Sequence, residues 1–288
     1  MKRLKQTAAA VFGLAAFGLA GGAQAFEAGI FTVDETNLGL GNALSTSDGS
    51  GGFVAGTGNI FNADNISGPY NELLTIDTDG SFDATAWWRG TSFGLGLDTQ
   101  NSSVTATGGV ADQGYGLYVL FDASGNVGPG GFTAGTGNIN IFLDPTRNTS
   151  FGFTGGDATD GVTTGNTGDD IFVGTSAFLR QGSGTFNPGL FDEGRFTLLF
   201  NEFSLSPQGS DYFVDPEPFF DALIVTGQFA TSSGNLVAGT ERTSFEITSS
   251  SADGQFGRVV PTPGALSLMG VGLLALGFRA RRQGVIKG

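Results

Sequence analysis

Leu73-Leu74-Thr75-Ile76-Asp77-Thr78-Asp79-Gly80-Ser81-Phe82-Asp83-Ala84-Thr85-Ala86-Trp87-Trp88 reads as two strands joined by a tight turn. An Asp-Gly pair between alternating runs is a strong hairpin cue, because glycine takes the positive φ that such turns need. In the second strand Phe82, Ala84, Ala86 and Trp88 share an apolar face. Trp87 falls on the other face with Asp83, Thr85 and Arg89.

The same alternation recurs along the chain at residues 115–121, 138–143, 170–173, 195–200, 223–230 and 243–248. Ile139/Ile141/Leu143 and Phe196/Leu198/Phe200 line up on single faces. No amphipathic helix interrupts the pattern between residues 26 and 258. The expected fold is therefore all-β, a jelly-roll-like β-sandwich with long Gly-rich loops. The stretch from Gly51 to Ile60 recurs at Gly130 to Ile139 with one difference, Val54 against Thr133. That echo reads either as two pairing strands or as a reused turn-into-strand element; its flanks do not extend it into a repeat.

Composition narrows the chemistry. The 288 residues include 50 Gly and 27 Phe, a balance that suits short strands and tight turns rather than disorder. There is no Cys and no His. Thiolate sites, disulfides, His-based triads and the usual zinc, copper or haem ligand are thereby excluded. Three basic residues precede residue 26 and four follow residue 278. Six of the 13 basic residues thus face all 27 acids in the body, which has a net charge of −21 and no Lys. Such a body has no cation supply for phosphates, so nucleic acid is not an expected partner.

Asp157, Asp160, Asp169 and Asp170 punctuate a Gly/Thr/Asn stretch. Hard oxygen ligands on a flexible loop are what Ca²⁺ accepts, but the spacing matches no EF-hand or calcium-binding β-roll, and a solvated acidic loop is the plainer reading. No other cofactor is required. Trp87, beside Asp83 and Arg89, has the make-up of a sugar-stacking platform, or of an outer face covered by a loop. Carboxylate pairs such as Glu72/Asp83 or Glu193/Glu202 would serve a glycan-cleaving enzyme only at a fixed separation, which spacing does not supply.

Both ends carry sorting features. Lys2, Arg3 and Lys5, the apolar run 8–20 and Ala23-Gln24-Ala25 form a secretory signal peptide over residues 1–25, with Phe26 the expected mature N-terminus. At the other end Pro261-Thr262-Pro263-Gly264 precedes an apolar, uncharged run, residues 265–278, and then Arg279, Arg281 and Arg282. At about 1.5 Å per residue that run spans roughly 21 Å, short of a ~30 Å bilayer core and fit for a transient hold in the inner membrane.

This tripartite tail, residues 259–288, resembles the PEP-CTERM sorting signal of Gram-negative bacteria. The usual tripeptide there is Pro-Glu-Pro; Thr262 departs from it. The resemblance implies passage through signal peptidase, then tail removal by an exosortase-type membrane protease, and delivery to the cell surface or extracellular matrix. An internal Pro216-Glu217-Pro218 has no apolar-plus-basic tail and reads as a decoy. Three blocks, Tyr115 to Gly125, Asn140 to Pro145 and Tyr212 to Phe220, are similar to the flocculation-associated PEP-CTERM proteins. That likeness implies a non-enzymatic matrix protein acting with exopolysaccharide or a cell-surface glycan in flocs or biofilms. A carbohydrate-binding module and a carboxylate-only glycan-active enzyme are the alternatives.

Overall fold

The computed structural model describes residues 24–37, 45–47, 53–55, 60–100, 102–104, 114–185, 194–229, 235–236 and 241–261. Contacts divide the chain into two units. One is residues 1–27 with 259–288, described only at 24–27 and 259–261; the other, Ala28–Arg258, holds nearly all of the described fold.

Eight strands carry it: β1 (Asn65–Ile76), β2 (Ser81–Gly90), β3 (Gly116–Gly128), β4 (Gly131–Asp144), β5 (Phe178–Thr185), β6 (Gly194–Asn201), β7 (Ala222–Phe229) and β8 (Thr243–Pro261). Each pairs antiparallel with the next, and β8 pairs back onto β1, with Ser244 opposite Thr75 and Gly254 opposite Ile66. The sheet is closed. The expected sandwich is corrected by this finding: the fold is all-β, but it is an eight-stranded antiparallel barrel. Alternation cannot separate the two, because both bury one face of every strand. The difference rests on a β1–β8 pairing between segments far apart in sequence, and on bulges that let the sheet coil. Register shifts occur at Ser124/Gly125, Ile141/Phe142, Leu179/Gln181 and Ile247/Ser250.

The expected hairpin is β1–β2. Gly80, at φ 86°, donates its N–H to Asp77 O (3.0 Å), and Asp77 N–H reaches Ser81 O (2.8 Å). Asp79 Oδ1 accepts from the Ser81 N–H and hydroxyl, fixing the turn from within. The other tight hairpin, β3–β4, turns on Pro129-Gly130 with Gly130 at φ 80°. The second copy of the echo lies there and in β4; the first contributes Phe53–Ala55, which pairs with Ser45–Ser47. Among the described residues the two copies do not pair with each other.

Inside the barrel large rings lie on missing side chains. A Cβ on Gly184 would sit 2.1 Å from the Phe132 ring, and one on Gly227 2.4 Å from Phe196. The many Gly and Phe are thus one device: Gly in one strand admits Phe from another. Outward positions, among them Asp83, Asp122, Asn138, Arg195, Thr197 and Gln228, are mostly polar. The wall is apolar inside and polar outside, the reverse of a lipid-facing barrel.

The two ends differ. The turns β1–β2 and β3–β4 lie at one end, and the long connections after β2, β4 and β6 leave from the other. A phenylalanine plug fills that second end. Phe31 meets Phe256 at 5.3 Å and Phe213 at 5.5 Å between ring centroids, and Phe219 and Phe203 also pack on Phe256. Phe31–Asp34, Ile60–Ala63 and Phe213–Asp215 form a small sheet there. The short helix α1 (Pro207–Tyr212) starts with Ser206 accepting from the Gly209 N–H (2.9 Å) and Pro207 in its first turn. The β4–β5 connection makes its own hairpin, Ser150–Phe153 with Val162–Gly165, and straps the outer wall.

Candidate functional site: an apolar chamber with one carboxylate

At the hairpin end the barrel holds a chamber of about 30 Å³, counted as space for the centres of water-sized molecules. Its walls are Leu74, Phe82, Ala84, Phe121, Ala123, Phe132, Phe196 and Phe229 with neighbouring aliphatic residues. Among the described residues the one charged group in the lining is Glu72. On β1, Tyr70, Glu72, Leu74 and Ile76 alternate inward, and Glu72 is flanked by Ala86 of β2 and Ile247 of β8. Burial drives its carboxyl from 4.5 up to about 7. Among the described residues nothing makes a hydrogen bond or ion pair with that carboxyl.

A layer of polar atoms lies one inward step back along β1. Tyr70 stands opposite Trp88 on one side and Ser250 on the other. All three are buried, and Tyr70 Oη, Trp88 Nε1 and Ser250 Oγ lack a hydrogen-bond partner among the described residues. Burial raises the Tyr70 hydroxyl far above its ordinary value, and the Glu72 charge adds to the rise. Ser250 is near enough to moderate it without completing a hydrogen bond.

A second buried carboxylate sits near the plug. Glu35 Oε1 accepts from Ser102 Oγ (2.6 Å), Ser103 N–H (2.8 Å) and Tyr115 Oη (3.1 Å). Tyr115 and Tyr212 share a hydroxyl–hydroxyl bond. Burial raises both tyrosines well above their usual range. This group is saturated with internal partners and knits the loop 102–104, β3 and α1 together.

The four aspartates read as a Ca²⁺ loop are divided between two neighbourhoods. Asp157 caps a short 3₁₀ turn, accepting from Thr159, and pairs with Arg242; Asp160 belongs to that same turn. Asp169 and Asp170 lie further along the strap: Asp169 accepts from Thr146 (2.7 Å), and Asp170 from Tyr118 (2.6 Å) and Thr149 (2.9 Å). Burial first, with the neighbouring Asp144 and Asp169 charges, outweighs those bonds and raises the Asp170 carboxyl. Among the described residues no three carboxylates stand together as a metal site.

Trp87 points outward, stacked on Phe151 (5.8 Å, 13°) and tilted over Phe153 (4.5 Å), so the strap covers it. Beside it a narrow cleft lies between Arg89, Tyr118, Asp144, Arg147, Thr149 and Phe151, with Arg89 over the Phe151 ring at 4.8 Å. Glu72 and Asp83 lie on opposite faces of the wall, so they cannot serve one reaction; Glu193 lies outside the described residues. Ala25 and Phe26 belong to the strand Gln24–Ala28, and Pro261 ends β8. Ala23, Thr262, Pro263, Gly264, Arg279, Arg281 and Arg282 lie outside the described residues. No helix among the described residues is long and apolar enough to cross a membrane. The internal Pro216-Glu217-Pro218 sits between α1 and β7 with both prolyl bonds cis.

Sequence reasoning meets Glu72 only as half of a carboxylate pair. Extending the Leu74/Ile76 alternation back by one step would have placed it inside the wall. No protein-family model, no curated protein and no solved structure matches this chain.

Proposed function

We propose that the chain is an exported, non-enzymatic surface or extracellular-matrix protein that acts with exopolysaccharide in flocs or biofilms. Residues 1–25 direct export, and an exosortase-type membrane protease removes the tail beginning near Pro261. The tail pattern and the three body blocks support the sorting and flocculation parts. The observation that carries the matrix role is the treatment of charge. Of six arginines in the body, Arg89, Arg147 and Arg242 are drawn in against the wall, and Arg242 is spent on three aspartates. With 27 acids against six arginines the body stays strongly anionic, a surface suited to divalent-cation bridging with acidic polysaccharide. A carbohydrate-binding reading is favoured by the cleft at Arg89, Tyr118 and Arg147, where polar groups border aromatic ones.

The test is the intact mass of the protein released by its producing cells, together with floc formation in a deletion strain. A mass running from Phe26 to about Thr262, with weakened flocculation on deletion, supports the reading. A membrane-retained chain that keeps residues 264–288, or unchanged flocs, contradicts it.

A further inference from the structure

We propose that the chamber at the hairpin end is a binding site for a short, mostly apolar molecule with one hydrogen-bond-donating head group, and that Glu72 is the residue that holds the head. Three observations converge. The wall is apolar on every strand that contributes to it except at Glu72. The Glu72 carboxyl has no hydrogen bond or ion pair among the described residues. One inward step back along β1, Tyr70, Trp88 and Ser250, exposed by 0%, 2% and 7%, each carry a polar atom without a hydrogen-bond partner among the described residues. Unpaired buried polar atoms cost about 1–3 kcal/mol apiece, and native proteins hold few of them. Three such atoms stand one inward step along β1 from Glu72, and the Glu72 carboxyl is the polar group that lines the chamber itself, which together mark a place where polar partners come from outside the chain.

Shape sets the ligand class. Eight-stranded barrels are either filled by their own side chains or left with room for one small molecule. Here the plugged end is filled, while the hairpin end keeps about 30 Å³. That is room for roughly two or three water-sized groups at ~10–15 Å³ each, so the buried part is a short chain or small ring. Small side chains make the room: Ala84 and Ala123 face it where larger residues would close it. Primary alcohols and primary amines share the required chemistry, an apolar body and an N–H or O–H donor. They differ in charge. Among the described residues no other acid or base lines the chamber; Tyr70, on the same strand, is the titratable group near Glu72, while β2 and β8 offer Ala86, Ile247 and Ser250 there. An ammonium head is therefore favoured once the carboxyl ionises, and an alcohol is accepted on either side of that transition.

The test is an NMR titration of the full body, residues 26–262, with 1-butanol, n-butylamine and butyrate at pH 6 and pH 8. Expected are saturable shifts at Ala84, Ala123 and Ile247 with the alcohol at both pH values. The amine should bind more tightly at pH 8 than at pH 6, and butyrate should not bind at pH 8. Glu72→Leu should weaken the amine at least tenfold, Glu72→Gln should remove its pH dependence, and Ala84→Leu should abolish binding of both probes in a folded protein. Chamber resonances that exchange with water but saturate with none of the probes would overturn the proposal, as would unchanged affinities in Glu72→Leu. Neither result bears on export or matrix assembly.

Discussion

Arg242 Nη1 stands 2.6 Å from Asp157 Oδ2, and the same guanidinium reaches Asp83 (2.9 Å) and Asp77 (2.8 Å). One cation thus ties the strap to both strands of the β1–β2 hairpin and to the start of β8. Burial pushes the Asp157 carboxyl up, but the Thr159 N–H and hydroxyl and the Arg242 charge outweigh it and hold it below the ordinary 3.8. Arg242→Ala leaves three neighbouring carboxylates without their shared cation. Because the aspartates are partly exposed, the expected loss is about 1–2 kcal/mol in urea unfolding near pH 7. The Asp157 part of this stability is present above the unfolded carboxylate value and fades as pH falls through the lowered folded value, so wild type and variant should converge in acid.

Glu72 works with the opposite sign. Its folded carboxyl titrates near 7 against 4.5 for the free group. The protonated form is favoured by folding, so the contribution of Glu72 to stability is fully present below 4.5, declines across the interval to 7, and is gone above it. Glu72→Gln should therefore be more stable than wild type at pH 8 by up to about 3 kcal/mol. At pH 4.5 the difference should close. Paired urea melts at the two pH values measure it; a constant offset would remove the assignment.

The Gly–Phe wall makes a matched pair of substitutions informative. Gly184→Ala sets a methyl 2.1 Å from the Phe132 ring and 2.7 Å from the Arg195 carbonyl, whereas nothing lies within 4 Å of a Cβ at Gly135. Gly184→Ala should cost about 1–3 kcal/mol by overpacking. Gly135→Ala, at an unstrained φ, should be neutral or stabilise by up to about 1 kcal/mol. Thermal melts of the two variants decide whether these residues face where the barrel puts them.

Glu35 offers a third carboxylate with a structural role. Glu35→Ala strips the Ser102 hydroxyl and the Ser103 N–H of an acceptor and leaves the Tyr115–Tyr212 pair buried beside a void. The expected cost is about 2–4 kcal/mol, with faster amide exchange at Ser103. Tyr115→Phe, which removes one donor and keeps the ring, should cost roughly half as much.

The same residues separate what local pattern encodes from what it does not. The β1–β2 hairpin is plain in the sequence, because Asp79-Gly80 has its own turn chemistry and Phe82 to Trp88 alternates without a break. The inward set on β4 and β6 follows from the same rule. Strand β5 is not visible there: Gln181-Gly182-Ser183-Gly184 has no apolar alternation, since its inward positions are glycines filled by Ala134 and Phe132 from β4. Nor is closure visible, because Ser244 and Thr75 meet through a pairing no local pattern encodes. The aspartate cluster looks like one loop in sequence, but the strap carries Asp157 to Arg242 and Asp170 to Tyr118. Glu72 is hidden for a different reason: a single acid in an apolar strand looks like a surface residue until the barrel closes around it.

Closure of the barrel around Glu72 is best tested by titrating that residue, following the ¹³C shift of its side-chain carboxyl in the folded body. A midpoint near 7, with the resonance insensitive to added salt, is the result expected of a carboxyl enclosed by β1, β2 and β8 in a closed barrel. A midpoint near 4.5 would put Glu72 in solvent, and both the chamber and the inward face of β1 would fall with it.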